Sequence, residues 1–469
     1  MAQRYIDHDI VKVHAAELSA DGKKQLVTTL FWGDRIEVTG QDADHWKVDM
    51  FRREWNETER RYDAFTLPCL ISRKVALRDE PFVLKARVVD VGQGDAAVVE
   101  TPEGEIILID GGEQSHLTRY LSASFAHVLT SQPLDIAAVV VTHGDADHYN
   151  GLTELLRAER APGKPLITAQ RVFHNGLVKG PSGNGPLFGE TLEHEGRRWV
   201  VDLENDLRRV PEARMNRPFL GWKQALSQLR TATGERPSVR RLAYGDDSEF
   251  DFLGSDQLAV HVLGPIVRRI GNKDALPYLR TPGSRSYSDS HTINGHSIVL
   301  KMTYGNVRFL FGADLNEESQ EALLARARAD NTSLEADVFK VPHHGSADFS
   351  ARMFDAVRPV VSVVSSGDES SAKEYIHPRA GLVGALGRYS RGTVERPLVY
   401  VTEMVAFFER VGNSFRLYQK KQFGIVHVRT NGQRVLVATH SGKSDQKESY
   451  VFTVNERGDV AFEPKARLA

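Results

Sequence analysis

Two imidazoles and two carboxylates fall within six residues at His143, Asp145, Asp147 and His148. They follow an apolar run, residues 136–141, that reads as a buried strand. Gathered at a strand end without a counter-charge, the carboxylates would repel one another, and burying them would be costly. A divalent cation reverses both penalties. The same arrangement recurs downstream. The apolar run 307–311 stops at Gly312-Ala313-Asp314, and the run 337–341 stops at Pro342-His343-His344-Gly345-Ser346. Ligands carried at the ends of successive strands converge on one rim of a sheet or sandwich. A carboxylate such as Asp314 can bridge two cations. Two ions roughly 3.5–4 Å apart can polarise a phosphoryl oxygen, supply hydroxide and stabilise a leaving oxygen.

The elements that must position these residues alternate between strand and helix. A strand over 82–91 enters the turn Gly92-Gln93-Gly94-Asp95, and another over 105–109 stops at Asp110-Gly111-Gly112. Helical sequence follows at 116–129, then the strand bearing His143, then helical sequence at 152–160 and a strand at 167–174. His174 at its end reads as a loop residue. Strands at 297–303, 307–311, 337–341 and 360–364 and helices at 317–329 and 382–389 complete an α/β order. The stretch 199–229 reads as largely helical. Within 208–241, nine Arg and Lys, among them Arg208, Arg209, Arg240 and Arg241, face only Glu212 and Glu235. Phe219 and Trp222 lie among these cations, as stacking against nucleic-acid bases would require. Arginines that merely solvate helix faces would look the same.

Composition sets outer bounds. A chain of 469 residues predicts two or three domains, and 41% apolar with 26% charged residues is ordinary for a soluble globular protein. A formal charge of −2 gives no global attraction to a polyanion, so such binding would need a local patch. The single cysteine, Cys69, excludes a cysteine-based zinc site and an internal disulfide, and reads as a buried thiol. Neither a signal-like apolar segment nor a run of roughly 18 apolar residues is present, so a soluble, cytoplasmic protein without membrane attachment is expected.

Residues 1–80 look separate. Strand-like runs at 27–30, 35–38, 46–50 and 65–71 are divided by Gly33-Asp34 and the acidic turn 41–44. Trp32-Gly33-Asp34 and His45-Trp46-Lys47-Val48 make this stretch resemble bacterial SH3-like barrels. The resemblance implies a small binding barrel with a protein partner; a structural cap on the next domain fits the same pattern.

The motifs of residues 84–400 together resemble a metallo-β-lactamase-fold hydrolase with a basic insertion at about 180–245. The usual His-x-His-x-Asp-His pattern stands here as His143-Gly144-Asp145-Ala146-Asp147-His148, with Asp145 in place of the second histidine. That variant, with Asp90 to Ala96, Asp110-Gly111-Gly112, Gly312-Ala313-Asp314, Val341 to Ser346 and His377-Pro378, is similar to the hydrolase domain of ComEC-type DNA-uptake proteins. No counterpart of the ComEC membrane channel is present, so DNA uptake is not implied. The resemblance implies an αββα sandwich, followed at 401–469 by a β-rich extension packed on it. It implies a first ion on His143 and Asp145, a second on Asp147, His148 and His343, and Asp314 as the bridge. His291 and His296 are candidates for one further ligand. Asp95, Asp110, His344 and Ser346 would orient the ligands from behind. Asp147, His377 and Lys340 would carry catalytic roles, His377 by protonating the leaving oxygen or holding a phosphate and Lys340 by meeting a phosphate. Replacing imidazole by Asp145 hardens the site, which favours Mn²⁺, with Zn²⁺ or Mg²⁺ as the other choices.

The reading that follows is a phosphodiesterase or nuclease, with DNA as the favoured substrate, acting through a metal-bound hydroxide at a binuclear site. A small-molecule hydrolase, a cyclic-nucleotide phosphodiesterase or a lactonase, would use the same ions. A non-enzymatic binding protein with structural metals is the third reading.

Overall fold

The computed structural model describes residues 2–19, 21–56, 61–181, 183, 187–281, 283–367, 377–392, 397–405, 407–410, 418–422, 424–440, 448–464 and 466. Two large sheets face each other. The first has ten strands in the order Ser238–Arg241, Arg171–His174, Ala138–Val141, Ile106–Ile109, Ala97–Glu100, Leu84–Val89, Ile425–Thr430, Arg434–His440, Ser449–Val454 and Val460–Phe462. The second has six, in the order Leu258–Gly264, Val299–Tyr304, Val307–Phe311, Val338–Lys340, Val361–Val364 and Leu398–Val401.

Strand alternation builds the layers. Ala86, Val88, Val99, Ile107 and Val140 of the first sheet pack against Val260, Leu300, Phe309 and Val361 of the second. The intervening residues Val89, Val98, Leu108 and Val139 point outward onto the helices His116–Ser124, Ala146–Arg157 and Arg217–Gln228. Leu310, Phe339 and Val364 do the same for the helices Glu317–Ala329, Ala351–Val357 and Ala380–Arg388. The result is the expected helix–sheet–sheet–helix sandwich. With helices on both outer faces, the strands are apolar on both sides, which is why they read as unbroken Val/Ile/Leu runs.

Four strands of each sheet run parallel. Ile106–Ile109, Ala138–Val141, Arg171–His174 and Ser238–Arg241 run together, as do Val307–Phe311, Val338–Lys340, Val361–Val364 and Leu398–Val401. Their C-terminal ends open on one crevice, where such folds bind ligands.

Two expectations are revised and a third is made specific. First, residues 2–78 form a seven-stranded antiparallel sheet ordered Lys24–Phe31, Ile10–Leu18, Arg61–Ser72, His45–Asn56, Arg35–Gln41, Ala2–Ile6 and Leu77–Arg78. Among the described residues its two edge strands do not pair, so the sheet is open where an SH3-like barrel would close. Second, helix in the 199–229 stretch is confined to Arg217–Gln228 and two 3-10 turns. Asn216 caps that helix by accepting from Phe219 N, with a proline in its first turn, so this cap sets a late start. Third, the β-rich extension expected to pack on the sandwich at 401–469 is joined to it by strand pairing at its described residues after 424. Ile425–Thr430 pairs along the whole of Leu84–Val89 and so extends the first sheet. Among the described residues no helix is long and apolar enough to cross a membrane.

Buried ion pairs hold the N-terminal sheet to the sandwich. Arg434 donates to both oxygens of Asp9, at 2.6 and 3.0 Å, and also to Glu463. Arg429 donates to Asp34 and to the Trp32 carbonyl, each at 2.7 Å. Close by, Lys85 and Arg87 each reach Glu100 at 2.7 Å. Burial pushes the Glu100 carboxyl up, but Lys85 and Arg87 outweigh it and hold the group well below the ordinary carboxylate range. A carboxylate depressed in the folded state contributes stability above its unfolded pKa, and that contribution is lost as pH falls through the folded value. Glu100→Gln should therefore flatten the fall in stability on going from about pH 5 to about pH 2, relative to the parent. Urea midpoints across that window give the comparison, and parallel profiles would remove Glu100 as a source of the acid sensitivity.

Candidate metal centre

The strand Ala138–Val141 ends at Thr142, and the helix Ala146–Arg157 begins three residues after His143. Asp145 occupies the N-cap position but makes no side-chain cap bond, which leaves its carboxylate for other partners. His148, in the first helical turn, points back towards the strand ends. Across the crevice, Asp314 follows Val307–Phe311, and His343 and His344 follow Val338–Lys340.

Asp110 organises the first half of the site. It is fully buried, and its carboxylate accepts from Thr142 N at 2.8 Å, Thr142 Oγ1 at 2.6 Å and His148 Nδ1 at 2.9 Å. Because the Thr142 hydroxyl donates to Asp110, it is left to accept from His143 Nδ1 at 3.1 Å. Both imidazoles are thus oriented with Nε2 towards the crevice. The Ser365 carbonyl does the same for His344, accepting from Nδ1 at 3.0 Å. Such outer contacts fix the tautomer and aim of metal-binding histidines.

Asp314 Oδ2 sits at the focus of these rings. It lies 3.1 Å from His344 Nε2, 3.3 Å from His148 Nε2 and 4.0 Å from His143 Nε2. Asp147 Oδ2 lies 3.6 Å from His344 Nε2, and Asp145 Oδ2 lies 3.9 Å from His143 Nε2. Ligand atoms of His143, His148 and Asp314 lie within 4.8 Å of one another, and the same holds for Asp147, His148 and His344. These two sets share His148, which suits a two-ion centre. The donor atoms are also orphaned. His143 Nε2, His148 Nε2, His344 Nε2 and Asp314 Oδ1 are buried without a hydrogen-bond partner among the described residues. Burying polar atoms unsatisfied costs roughly 1–3 kcal/mol each, and a divalent cation would satisfy all four together.

Electrostatics points the same way. Burial pushes Asp314 up, but the His344 and His148 imidazoles overcome it and hold the carboxyl well below its usual range. Burial pushes His148 and His344 down, but Asp314 outweighs it, with Asp110 for His148 and Asp95 for His344. His148 rises well above its usual value and His344 to about 10. His143 is pushed down to about 3 by burial and by the neighbouring His148. The cluster therefore draws cationic charge, as protons on His148 and His344, and a metal would have to displace those protons.

The backbone is strained where it turns into the site. Asp110, Ala313, His343 and His344 all have φ between +46° and +58°. Gly94 approaches so closely that an added Cβ would lie 1.8 Å from the Asp147 carbonyl oxygen, and its φ is +103°. Gly94→Ala should therefore displace the Asp147 turn and cost at least ~2 kcal/mol in stability. Thermal melts of parent and variant with and without added metal measure both effects; an unchanged melting temperature would contradict this role for the close contact.

The remaining expected site residues are placed as follows. His344, rather than its neighbour, turns into the cluster; His343 Nε2 instead meets Asn294 Nδ2 at 3.2 Å. Lys340 is buried and donates to Asp95 and to the Ala313 carbonyl, and Asp95 Oδ1 lies 3.3 Å from His344 Nδ1. The His377 ring lies 6.4 Å from that of His343 and is tilted 46° to it. Ser346 accepts from Asp348 N, away from the donor atoms. His296 faces the Pro277 carbonyl at 2.7 Å and His291 faces Asp348 at 3.2 Å, so neither joins the cluster. His174 faces the Asn205 carbonyl.

The four arginines expected to meet nucleic acid all have acidic neighbours. Arg208 pairs with Asp206, Arg240 with Glu249 and Arg241 with Asp274, while Arg209 is 86% exposed and 3.7 Å from Asp206. Phe219 and Trp222 are buried in the helix-facing core and offer no stacking surface. Phe219 packs instead beneath Gly144 of the metal loop.

Three residues at the site had escaped the sequence reading. Lys179 Nζ donates to Asp145 Oδ1 at 2.5 Å. Ser297 Oγ lies 3.3 Å from His143 Nδ1 and accepts from Asp314 N. Thr142 adjoins His143 and was legible from that adjacency; Lys179 and Ser297 carry no local signal.

Residues 89–216 match the family model described as the Metallo-beta-lactamase superfamily. That span includes Asp95, Asp110, His143 and His148 and ends before Asp314 and His344. No curated protein matches the chain. Among solved structures the chain is similar to a mutant of the CmlA beta-hydroxylase, with 12% identity and a TM-score of 0.31, covering 69% of this chain and 53% of that one. It is also similar to a long form of RNase Z from yeast, with 9% identity and a TM-score of 0.27, covering 60% and 37%. The chain thus spans about half of the first protein and little more than a third of the second.

Proposed function

We propose that this chain, from its metallo-beta-lactamase superfamily segment at 89–216, is a metal-dependent phosphodiesterase that cleaves DNA. The observation that carries the metal-dependent reading is the set of four orphaned, buried donor atoms on His143, His148, His344 and Asp314. Asp314 would be the shared ligand, with His143 and Asp145 on one side and Asp147, His148 and His344 on the other. The three carboxylates of that set favour Mn²⁺ over Zn²⁺ or Mg²⁺. Bound there, two such ions would supply Lewis-acid activation of a phosphodiester and of the attacking water.

The chain's own side chains do the rest. Asp145 holds Lys179 at the rim, where an ammonium group can meet a phosphate oxygen as the substrate seats. Burial, followed by the charges of His344 and His343, pushes His377 down to about 4. A neutral imidazole at pH 7 donates a hydrogen bond to a phosphate more readily than it gives up a proton. Lys340, committed to Asp95, steadies His344 from behind. Lys179→Met should raise KM about tenfold with kcat nearly unchanged. Steady-state kinetics on the substrate identified below decides it, and a fall in kcat alone would place Lys179 in the chemical step.

DNA as the substrate is supported by the ComEC-type motif order. The paired arginines and buried aromatics of the basic segment favour a second reading, a hydrolase of a small phosphodiester or lactone. Metal-stripped protein resupplied with Mn²⁺, Mg²⁺ or Zn²⁺ separates the two, given circular single-stranded DNA, supercoiled DNA, cyclic nucleotides and lactones. Metal-dependent nicking that disappears in an Asp147→Ala/His148→Ala variant supports the nuclease. Turnover of a small substrate with no nicking supports the second reading, and no turnover by metal-loaded protein on any of them would overturn both.

A further inference from the structure

A cleft of about 760 Å³ lies between the N-terminal sheet and the first sheet of the sandwich. Its size is that of a site for a drug-sized molecule. It is remote from the metal centre. Lys85 on its floor and Asp90, at the strand end that turns towards Asp95, are five residues apart along Leu84–Val89, or roughly 17 Å at ~3.3 Å per residue.

Its polar floor is unusual. Lys85, Arg87 and Arg429 are all more than nine-tenths buried, and they face two carboxylates, Glu100 and Asp34. One buried positive charge is therefore left over. Arg87 Nη1 and Arg429 Nε have no hydrogen-bond partner among the described residues. Both carboxylates are pushed up by burial but held low by their cations, so both stay charged near neutral pH. Burial pushes the Lys85 ammonium down, as expected of a cation short of counter-charge. Leaving a charge buried without compensation is costly, and an anion would offset that cost. Above the floor, Phe31, Ile36, Met50, Ile106 and Phe125 give the walls an apolar stretch among polar residues such as Thr28, Thr29 and Ser124. At the mouth, Glu37, Asp49, Glu103 and Asp135 outnumber Arg35 and Arg52. A polyanion such as a nucleotide would meet repulsion there, whereas a single-headed anion would pass its charge to the floor.

We infer that this cleft binds one amphipathic organic monoanion of the fatty-carboxylate type, its carboxylate at Lys85, Arg87 and Arg429 and its apolar body between the two sheets. The site is independent of the hydrolase reading, and its test uses no activity assay.

Calorimetric titration of the full chain with decanoate, decanol and ATP provides the test. One decanoate should bind per chain, at least ten times more tightly than decanol, and excess ATP should not displace it. Lys85→Met removes the surplus charge, and Met50→Trp fills the cleft from the N-terminal sheet without touching the floor. Each should weaken decanoate at least tenfold, and Met50→Trp remains decisive if Lys85→Met fails to fold. Equal affinity for decanol, displacement by ATP, or undiminished decanoate binding by Met50→Trp would overturn the inference.

Discussion

Asp314→Asn should empty the metal centre. Asp314 Oδ2 is within 4.0 Å of three imidazoles, a position no other carboxylate among the described residues shares. The substitution keeps the volume and the Ser297 contact to the backbone, and removes the charge that binds a cation and raises His148 and His344. Removing an outer-contact residue typically costs 10–100-fold in metal affinity; a shared ligand should cost more than ~100-fold, with hydrolysis falling by at least as much. Elemental analysis of dialysed protein reads the first effect directly. The variant should also release fewer protons on metal addition, because His148 and His344 would start out largely neutral. A variant that keeps the parent's metal content would end the assignment of Asp314 as bridge.

The second large effect is expected at a residue that need not touch metal. Asp110→Asn retains the side-chain volume and a residue type that tolerates the observed φ of 58°. It replaces an acceptor of three hydrogen bonds by a group that must turn its amide towards one of those donors. His148 loses its orienting partner, and Thr142 can no longer relay the orientation of His143. Metal affinity should fall by ~10–100-fold, and the apo protein should lose roughly 1–3 kcal/mol of stability from the unsatisfied buried groups. Thr142→Val separates the two contributions, since it removes the relay to His143 and leaves the bond to His148. If Asp110→Asn binds metal as the parent does, the orientation of the imidazoles is set by packing alone.

Much of this centre could be read locally. Asp110, His143, Asp314 and the histidine pair all end apolar runs, and strand ends in a helix-covered sandwich are where the chain meets the crevice. What could not be read locally was decided by backbone conformation or distant contacts. Which of His343 and His344 faces the donor cluster depends on positive φ at both, and neither residue type announces that. Phe219 and Trp222 resembled a stacking surface because an amphipathic helix buries the same residues that a binding face would display. The arginines looked free because Glu249 and Asp274, which neutralise Arg240 and Arg241, lie outside the basic segment. The N-terminal runs carried strand and turn signals, but local alternation does not say whether the last strand returns to the first. The carboxylate at Asp145 was legible; its bond to Lys179, thirty-four residues away, was not.

The pairing of Ile425–Thr430 with Leu84–Val89 has a consequence for how the chain is made. On a ribosome, Leu84–Val89 emerges early and finds its hairpin partner Ala97–Glu100 at once, but its other edge waits for more than three hundred further residues. Throughout that interval it presents a bare strand edge, a template for pairing with other chains. Contacts this far apart in sequence also close slowly. The nascent sandwich therefore has to be shielded until its last strands arrive, and a premature stop near residue 400 would leave that edge open permanently.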